Sequence, residues 1–284
     1  MDARGNLHAW GPHMRGDRIC YTESAEENFP GRRGRMEATG EIPAVAAGEE
    51  RYGEKARALA RKIGAPYLAE VPQEQLCLVV EDRGLSLKKG ELSLQGDFTR
   101  MEKRLRQPNL SSELLVKAAR IRDGENPIAV DATAGLGEDA MLLAAAGFRV
   151  TLMEKDPVIA ALLSDALERA AGTPALAGAA GRMRLLEGDS LELLGSLPFV
   201  PDVIYLDPMF PERQKSGLVK KKFQLLHTLE KPCTDGETLL AAALSAGPRK
   251  VVIKRPKKGP FLGGRKPSFS LEGKAIRYDC LLCP

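Results

Sequence analysis

Asp207 is the residue of this sequence whose setting most favours chemistry. It follows a short apolar run, Val203–Leu206, and precedes Pro208 and Phe210. Proline lacks a backbone donor and restricts the residue before it, so the strand predicted at 203–206 ends here. A carboxylate, a backbone carbonyl and an aromatic ring are then expected at the carboxyl edge of a sheet, where open α/β folds bind ligands. A planar base could stack on Phe210 while its amino group donates to Asp207 and to the Pro208 carbonyl.

Earlier strand ends carry residues that suit a nucleotide-like cofactor. Asp131 opens a turn that contains Gly135 and Gly137. Such glycines let the backbone approach a ligand just before a helix begins. Glu154 ends the next predicted strand, 19 residues after Gly135, and an acid there is suited to accept hydrogen bonds from a ribose diol.

Asp189 and Ser190 end the third predicted strand, where side chain and backbone could hold an adenine edge. Nicotinamide binders and S-adenosylmethionine (SAM) binders share this spacing, so the glycine turn does not separate them. Ala140 occupies the third glycine position of the dinucleotide fingerprint. The Asp-Pro-x-Phe block that starts at Asp207 suits methyl transfer to an amine and has no dinucleotide role. These two details favour SAM.

The elements that must position these residues alternate between strand and helix from Ile128 onward. This alternation predicts a mostly parallel, doubly wound α/β sheet with right-handed crossovers. The predicted strands are 128–130, 149–153, 184–186, 203–206, 250–254 and 275–281, and the predicted helices are 138–146, 157–171, 218–229 and 237–246, with a short helix after Ser190.

We expect three parts in the chain: a loose tail over 1–17, a small N-terminal α/β module over 18–96, and the methyltransferase domain over 97–284. Within the module, residues 23–50 are rich in Gly, Pro, Glu and Arg without an apolar period, which is typical of a mobile insertion. The other elements predicted before residue 128 are a helix at 54–63, strands at 76–80 and 85–88, and a helix capped by Ser111 or Ser112 that runs to about Arg122.

The charge is unevenly distributed. Residues 212–274 hold 15 Lys/Arg against five Asp/Glu, whereas the remaining residues hold 27 against 33. This asymmetry favours an anionic partner that docks near the C-terminal third.

The cysteines and the hydropathy limit the cellular compartments in which the protein is expected. Five scattered cysteines suit a reducing cytoplasm better than a disulfide framework. Cys280-Leu-Leu-Cys283 has metal-ligand spacing but no second pair, so we expect no metal. No uninterrupted apolar run reaches the roughly 18 residues of a membrane span, and the first 16 residues lack a signal-peptide core.

Five segments are typical of one family: Asp131–Ala140, Glu154–Pro157, Tyr205–Pro211 with Gln214–Ser216, Leu218–Lys221, and Val252–Pro256. With these residues the chain resembles the RsmJ-type small-subunit rRNA guanine-N2 methyltransferases. The resemblance covers about residues 97–280, and its 205–211 block is the most specific. Before residue 97 it extends only to a small N-terminal α/β module.

The resemblance implies a Rossmann-like class I SAM-dependent methyltransferase sheet. It also implies SAM contacts at Glu138, Asp139, Glu154, Lys155, Asp189, Ser190 and Asp207. Two positions depart from the family pattern. Glu138 and Lys155 each occupy a position where arginine is common in the family. A SAM contact at 138 therefore requires the backbone.

We therefore expect methyl transfer to the exocyclic N2 amine of a guanine in small-subunit (16S) rRNA or the 30S subunit. Asp207 and Pro208 would orient the amine, and Phe210 would stack a base that is unpaired or flipped out. Phosphate contacts are predicted at Lys215, Lys220, Lys221, Lys222, Lys254, Arg255, Lys257 and Lys258.

Two alternatives stay open at this point. The same fold could methylate another RNA, a small amine or a protein glutamine, because Asp-Pro-x-Phe suits any planar amine. The chain could also be an RNA-binding module without catalysis. The basic segment argues against a small amine or a protein, and the four polar strand ends argue against a module without activity.

Overall fold

The computed structural model describes residues 42–122, 126–208, 225 and 235–283, and also the backbone of two short strands. These strands are β1 (His13–Arg15) and β2 (Arg18–Cys20), which pair antiparallel. The rest of the described strands form two larger sheets, one of five strands and one of seven.

The five-stranded sheet lies in the N-terminal part and has the order β4-β3-β5-β6-β7. Its elements are β3 (Ala44–Ala47), α1 (Gly53–Ile63), β4 (Tyr67–Leu68), β5 (Cys77–Glu81), β6 (Gly84–Lys89) and β7 (Leu92–Leu94). β3 runs parallel to β4 and β5, whereas β5, β6 and β7 form an antiparallel meander. Helix α1 ends at Gly64, whose φ of 70° is the left-handed conformation of a helix C-cap.

β3 corrects the expectation of a mobile insertion over residues 23–50. Ala44, Val45 and Ala46 are buried in the middle of the sheet between β4 and β5. A short run of small apolar residues fits a central strand that is covered on both faces, but it has no period that would reveal it in the sequence. Residues 23–41 lie outside the described residues.

The segment between the two sheets is a chain of short helical turns. It contains a 3-10 turn (Phe98–Met101), α2 (Glu102–Leu105), α3 (Asn109–Ser112) and α4 (Leu114–Ala119). The single helix predicted from Ser111 or Ser112 to Arg122 is wrong. Both serine hydroxyls donate to carbonyls of the preceding turn, and Glu113 has an extended backbone that separates α3 from α4.

The seven-stranded sheet has the order β10-β9-β8-β11-β12-β14-β13. Its strands are β8 (Ile128–Asp131), β9 (Arg149–Glu154), β10 (Met183–Glu187), β11 (Val203–Leu206), β12 (Lys250–Pro256), β13 (Phe269–Glu272) and β14 (Ile276–Leu282). Its helices are α5 (Glu138–Ala145), α6 (Pro157–Ala171), α7 (Pro174–Ala180), α8 (Ser190–Gly195) and α9 (Gly236–Ser245).

The pairing confirms the predicted doubly wound sheet. β8 to β12 pair in parallel, and β14 pairs antiparallel with both β12 and β13. The chain moves outward from β8 to β10 and then returns to the other side of β8 with β11. Ligands bind at such a switch point, outside the carboxyl ends of the strands. β13 and α7 were not predicted, and the helix predicted at 218–229 lies outside the described residues apart from Leu225.

Helix α6 packs against both larger sheets. One side, including Leu163 and Ala166, joins the core that α4, α5 and α7 form on the seven-stranded sheet. The opposite side, including Ile159 and Leu162, joins the core of the five-stranded sheet. α8 and α9 cover the other face of the seven-stranded sheet.

Truncating Leu162 to alanine is expected to destabilise the protein by about 2–5 kcal/mol, because the side chain is buried at the junction and its removal leaves a cavity. Chemical denaturation measures the change in unfolding free energy. Val200→Ala is the control, since Val200 is 51% exposed and its truncation should alter stability by less than about 0.5 kcal/mol. Equal losses from the two variants would contradict the packing described for α6.

Candidate active site

The parallel strands bring the predicted polar ends to one edge of the sheet. In the register of the sheet, Asp131 is level with Leu152 of β9 and Tyr205 of β11, and Glu187 is level with Glu154. The ends of β8, β9, β10 and β11 therefore meet at the switch point.

The two glycines of the turn after β8 have different tasks. Gly137 directly precedes α5 and has a φ of 75°. A Cβ at this position would come within 2.7 Å of Leu163 Cδ1, so the lack of a side chain at Gly137 allows the turn to pack on α6. Gly135 has a φ of 53°, but a Cβ there would meet no described atom within 4 Å. Gly135 thus borders open space at the carboxyl edge, where a ligand can approach the backbone.

Glu154 ties the second strand end to the glycine turn. Its Oε2 accepts a hydrogen bond from the Gly135 N–H at 3.0 Å, and its Oε1 accepts one from the Asp156 N–H at 2.8 Å. Burial raises the pKa of Glu154 to about 7 despite these hydrogen bonds. Each carboxylate oxygen has a further lone pair, so Glu154 can accept from a diol while it holds the turn.

Asp189 and Ser190 fix the third strand end. Asp189 is the N-cap of α8, and its Oδ1 accepts from the Leu191 N–H at 2.9 Å. The Ser190 hydroxyl donates to the Ala132 carbonyl at 2.6 Å, which connects this strand end to the turn after β8.

Asp131 lies beneath the turn. It is buried, and its Oδ1 accepts from the Thr133 N–H at 3.1 Å. Burial raises the pKa of Asp131 to about 8. The Thr133 hydroxyl in turn accepts from the backbone N–H of Asp207 at 2.7 Å. Thr133 therefore joins the glycine turn to the end of β11.

Lys254 of β12 lies between two carboxylates. Its Nζ donates to Asp139 Oδ2 and to Asp207 Oδ2, both at 2.8 Å, and the Tyr205 hydroxyl donates to Asp139 Oδ2 at 2.6 Å. Burial alone would lower the pKa of Lys254, but the two carboxylates raise it. Burial raises the pKa of Asp207, and Lys254 opposes that rise. We call Asp139, Asp207 and Lys254 the ionic triad.

The triad leaves part of Asp207 accessible. Its side chain is 38% exposed. Among the described residues, the hydrogen bonds to this carboxylate all reach Oδ2. Oδ1 takes part in none of these hydrogen bonds.

The other predicted site residues have varied surroundings. Glu138 and Lys155 are exposed, and Pro208 is buried. Lys257 and Lys258 are exposed after β12, where Lys257 pairs with Glu272 at 3.1 Å. Phe210, Lys215, Lys220, Lys221 and Lys222 lie outside the described residues.

Two predicted phosphate contacts face inward. Lys254 belongs to the ionic triad, and Arg255 is 2% exposed with its Nε donating to the Pro260 carbonyl at 2.8 Å. In this conformation neither side chain offers a surface cation to a phosphate.

Sequence reasoning missed Thr133 and Tyr205 and assigned Lys254 another role. Two signals were present in the sequence. A tyrosine within the apolar run 203–206 needs a partner for its hydroxyl when buried. Lys254 directly follows the apolar run Val251–Ile253 in the predicted strand 250–254, and a lysine that such a strand partly buries needs carboxylates close by.

Metal-ligand groups and membrane-spanning helices are both absent from the described residues. Within 42–122, 126–208 and 235–283, no group of three or more His, Cys, Asp or Glu side chains is placed to hold a metal ion. No helix in the described part of the chain has the length and apolar character to cross a bilayer.

The strand order, the glycine turn after the first parallel strand and the acid at the end of the second define a class I SAM-dependent methyltransferase. A family model described as "Putative SAM-dependent methyltransferase" matches residues 61–283. The crystal structure of a SAM-dependent methyltransferase from Neisseria gonorrhoeae superposes with a TM-score of 0.69 at 31% identity, covering 84% of this chain and 96% of that one.

Sequence relatives narrow the class to a family. A protein of Thioalkalivibrio sulfidiphilus named ribosomal RNA small subunit methyltransferase J is 44% identical over 234 residues, which are 80% of this chain and 92% of the relative. One of the same name from Pseudomonas aeruginosa (strain LESB58) is 41% identical over 245 residues, 84% and 92% of the two chains. This chain belongs to the ribosomal RNA small subunit methyltransferase J family, and its cofactor is SAM.

SAM affinity is expected to rise between about pH 6 and pH 8. A protonated Glu154 loses acceptor capacity for the ribose, so binding favours the ionised form and releases a proton from a group whose pKa is about 7. Below that pKa, the Kd for SAM should increase by up to about tenfold for each unit by which the pH is lowered. Calorimetry at several pH values measures this slope. Glu154→Gln should bind more weakly but with a flatter profile, and an unchanged slope in that variant would exclude Glu154 as its source.

Proposed function

We propose that this protein transfers the methyl group of SAM to the exocyclic N2 amine of a guanine in small-subunit rRNA. The observation that carries this proposal is the position of Asp207, which is joined to the glycine turn through Thr133 and has a side chain that is 38% exposed. Family membership supports small-subunit rRNA as the substrate. An rRNA substrate also agrees with the reducing compartment predicted from the cysteines.

The residues at the first three strand ends fit SAM. The open space at Gly135 can admit a ligand next to the backbone, and Glu154 offers acceptors for a ribose. Asp189 and Ser190 border the same edge at β10. When bound, SAM supplies a methyl group on a positively charged sulfur that makes a good leaving group. With both acids ionised, the ionic triad has a net charge of −1, which complements that positive charge.

Asp207 and Pro208 are the acceptors that we assign to the guanine amine. The lone pair of this amine is delocalised into the ring, so the nitrogen is a poor nucleophile. Hydrogen bonds from its N–H groups to Asp207 Oδ1 and to the Pro208 carbonyl would orient it and favour pyramidal nitrogen in the transition state. Phe210, which we assign to stacking of the base, lies outside the described residues.

Lys254 is a positioning residue in this scheme. By holding Oδ2 of Asp207, it fixes the carboxylate and favours its ionised form while Oδ1 serves the amine. Asp139 holds Lys254 from the other side, and the Tyr205 hydroxyl in turn donates to Asp139. This role differs from the phosphate contact predicted for Lys254 from the sequence.

The experiment is methyl transfer from labelled SAM to four acceptors: small subunits that lack the modification, free 16S rRNA, large subunits, and protein. Label on small-subunit RNA, recovered as N2-methylguanosine after digestion, is the expected result. Label on another RNA or on protein would replace the proposal with one of its alternatives. No labelled product on any RNA would refute it.

A further inference from the structure

The chain that follows β12 is held by a buried arginine. Arg277 of β14 donates from Nη1 to the carbonyls of Pro256, Lys257 and Gly259 at 3.1, 2.7 and 2.9 Å. Its Nε and Nη2 donate to Asp279 at 2.8 and 3.0 Å. One side chain thus fixes three carbonyls of a four-residue stretch. We call residues 256–261 the 256–261 loop.

A second arginine completes the support of the loop. Arg255 Nε donates to the Pro260 carbonyl at 2.8 Å. Four carbonyls of the loop, those of Pro256, Lys257, Gly259 and Pro260, are therefore directed at arginines inside the protein. Such a backbone is formed before any ligand arrives, so a partner would meet a rigid surface and less binding energy would be lost to ordering it.

Phe261 ends the loop as an accessible aromatic ring. The Arg277 guanidinium carbon lies 5.0 Å from the ring centroid, so Arg277 fixes this ring as well as the loop. The residue is still 38% exposed. A side chain of this size that is both immobilised and exposed offers a stacking face to a ligand.

The charge around Phe261 is positive. Residues 256–274 contain five Lys/Arg and one Glu. Lys257, Lys258 and Arg265 are exposed. Basic side chains interleaved with an exposed aromatic ring fit a single-stranded nucleic acid, which offers phosphates and the faces of unstacked bases.

The loop is close to the proposed transfer site. Pro256 follows Lys254 by two residues on β12, which is about 7 Å at the rise of a strand, and Lys254 contacts Asp207 directly. The loop therefore extends the carboxyl edge of the sheet beyond the ionic triad.

We propose that the 256–261 loop is a preformed binding surface for the single-stranded RNA beside the target guanine, with Phe261 stacking on a neighbouring base. This inference rests on the proposed function, because it requires an RNA substrate. Lys258 contributes charge to the surface, and Arg277 is the positioning residue that keeps the loop and the ring in place.

Phe269 offers a matched control for Phe261. It is 40% exposed, but it lies on β13, in register with Cys280 and Val252, and the Lys250 ammonium at the start of β12 is 5.9 Å from its ring. Phe269 is thus an equally exposed ring located away from the carboxyl edge.

Steady-state methylation of the RNA that the wild type accepts tests the proposal. Phe261→Ala should raise KM for RNA by about tenfold, as expected for loss of one base–aromatic stack, with kcat and SAM affinity near wild type. Phe261→Trp should keep the wild-type KM, and so should Phe269→Ala. An unchanged KM in Phe261→Ala, or equal increases in both alanine variants, would overturn the inference.

The salt dependence of RNA binding separates stacking from charge. Lys258→Gln should reduce the slope of log K against log salt by about 0.7, the value for one phosphate contact on a single strand. Phe261→Ala should weaken binding and leave the slope unchanged, whereas a changed slope would contradict stacking. If the wild type methylates RNA and Phe261→Ala has the same KM for RNA, this inference fails and the proposed function stands. If the wild type methylates no RNA, the proposed function itself fails.

Discussion

Replacing Asp207 with asparagine is expected to reduce methyl transfer by about 10²- to 10³-fold, comparable to the loss of one hydrogen-bonding group at a transition state. Lys254 donates to Oδ2, so the new amide will turn its oxygen toward Lys254 and its NH2 toward the incoming base. A donor would then face the N–H groups of the guanine amine. Single-turnover methylation at saturating SAM and RNA measures the effect.

The fold should survive this change, because Asp207 ends its strand and the substitution keeps its size, and saturating SAM compensates for any loss of SAM affinity. Asp235→Asn is the matched control. Asp235 is an exposed aspartate immediately before α9, and its Oδ1 accepts from the Thr238 hydroxyl. Wild-type turnover in Asp207→Asn would remove Asp207 from the chemistry, and a similar loss in both variants would make the effect nonspecific.

Replacing Lys254 with methionine should have the second largest effect. Methionine keeps much of the length but removes the cation between Asp139 and Asp207, so the two carboxylates face each other without compensation. Their repulsion should raise the pKa of Asp207 above its value in the wild type. On the acidic limb of the pH profile, transfer at a given pH should therefore fall by about tenfold for each pH unit of the shift. The pH profile of kcat measures the shift.

A second substitution tests the physical cause. Adding Asp139→Asn to Lys254→Met removes one of the facing charges, and it should return the acidic limb toward the wild-type position. A merely structural role for Lys254 would not give this recovery, because the double variant has lost even more of the original contacts. If the double variant kept the shifted acidic limb of Lys254→Met and lost further activity, the role proposed for the triad would be contradicted.

The strand ends were predictable because local chemistry marks them. Proline at 208 ends β11, and the glycines at 135 and 137 permit the turn before α5. Asp131, Glu154 and Asp207 could therefore be placed at one edge of a parallel sheet. The parallel arrangement of the strands followed from their alternation with helices, which requires crossovers of one hand.

The ionic triad could not be predicted in the same way. Its members are separated by 47 and 115 positions along the chain. They meet only because β12 lies next to β11 and α5 begins beside β8. Asp139 was therefore assigned to SAM from the family resemblance, and Lys254 was assigned to phosphate from the basic residues around it. β3 was not predicted for another reason, since its alanines indicate neither a strand nor a helix.

The position of α6 between the two larger sheets has a consequence for how the chain can be divided. A shortened chain that began at residue 97 would uncover Val158, Ile159 and Leu162 to water, and it would lose the carbonyl of Gly96 that Arg169 binds. Residues 42–96 thus complete the interior of the enzyme and are not a detachable appendage. The two sheets should melt as one cooperative unit.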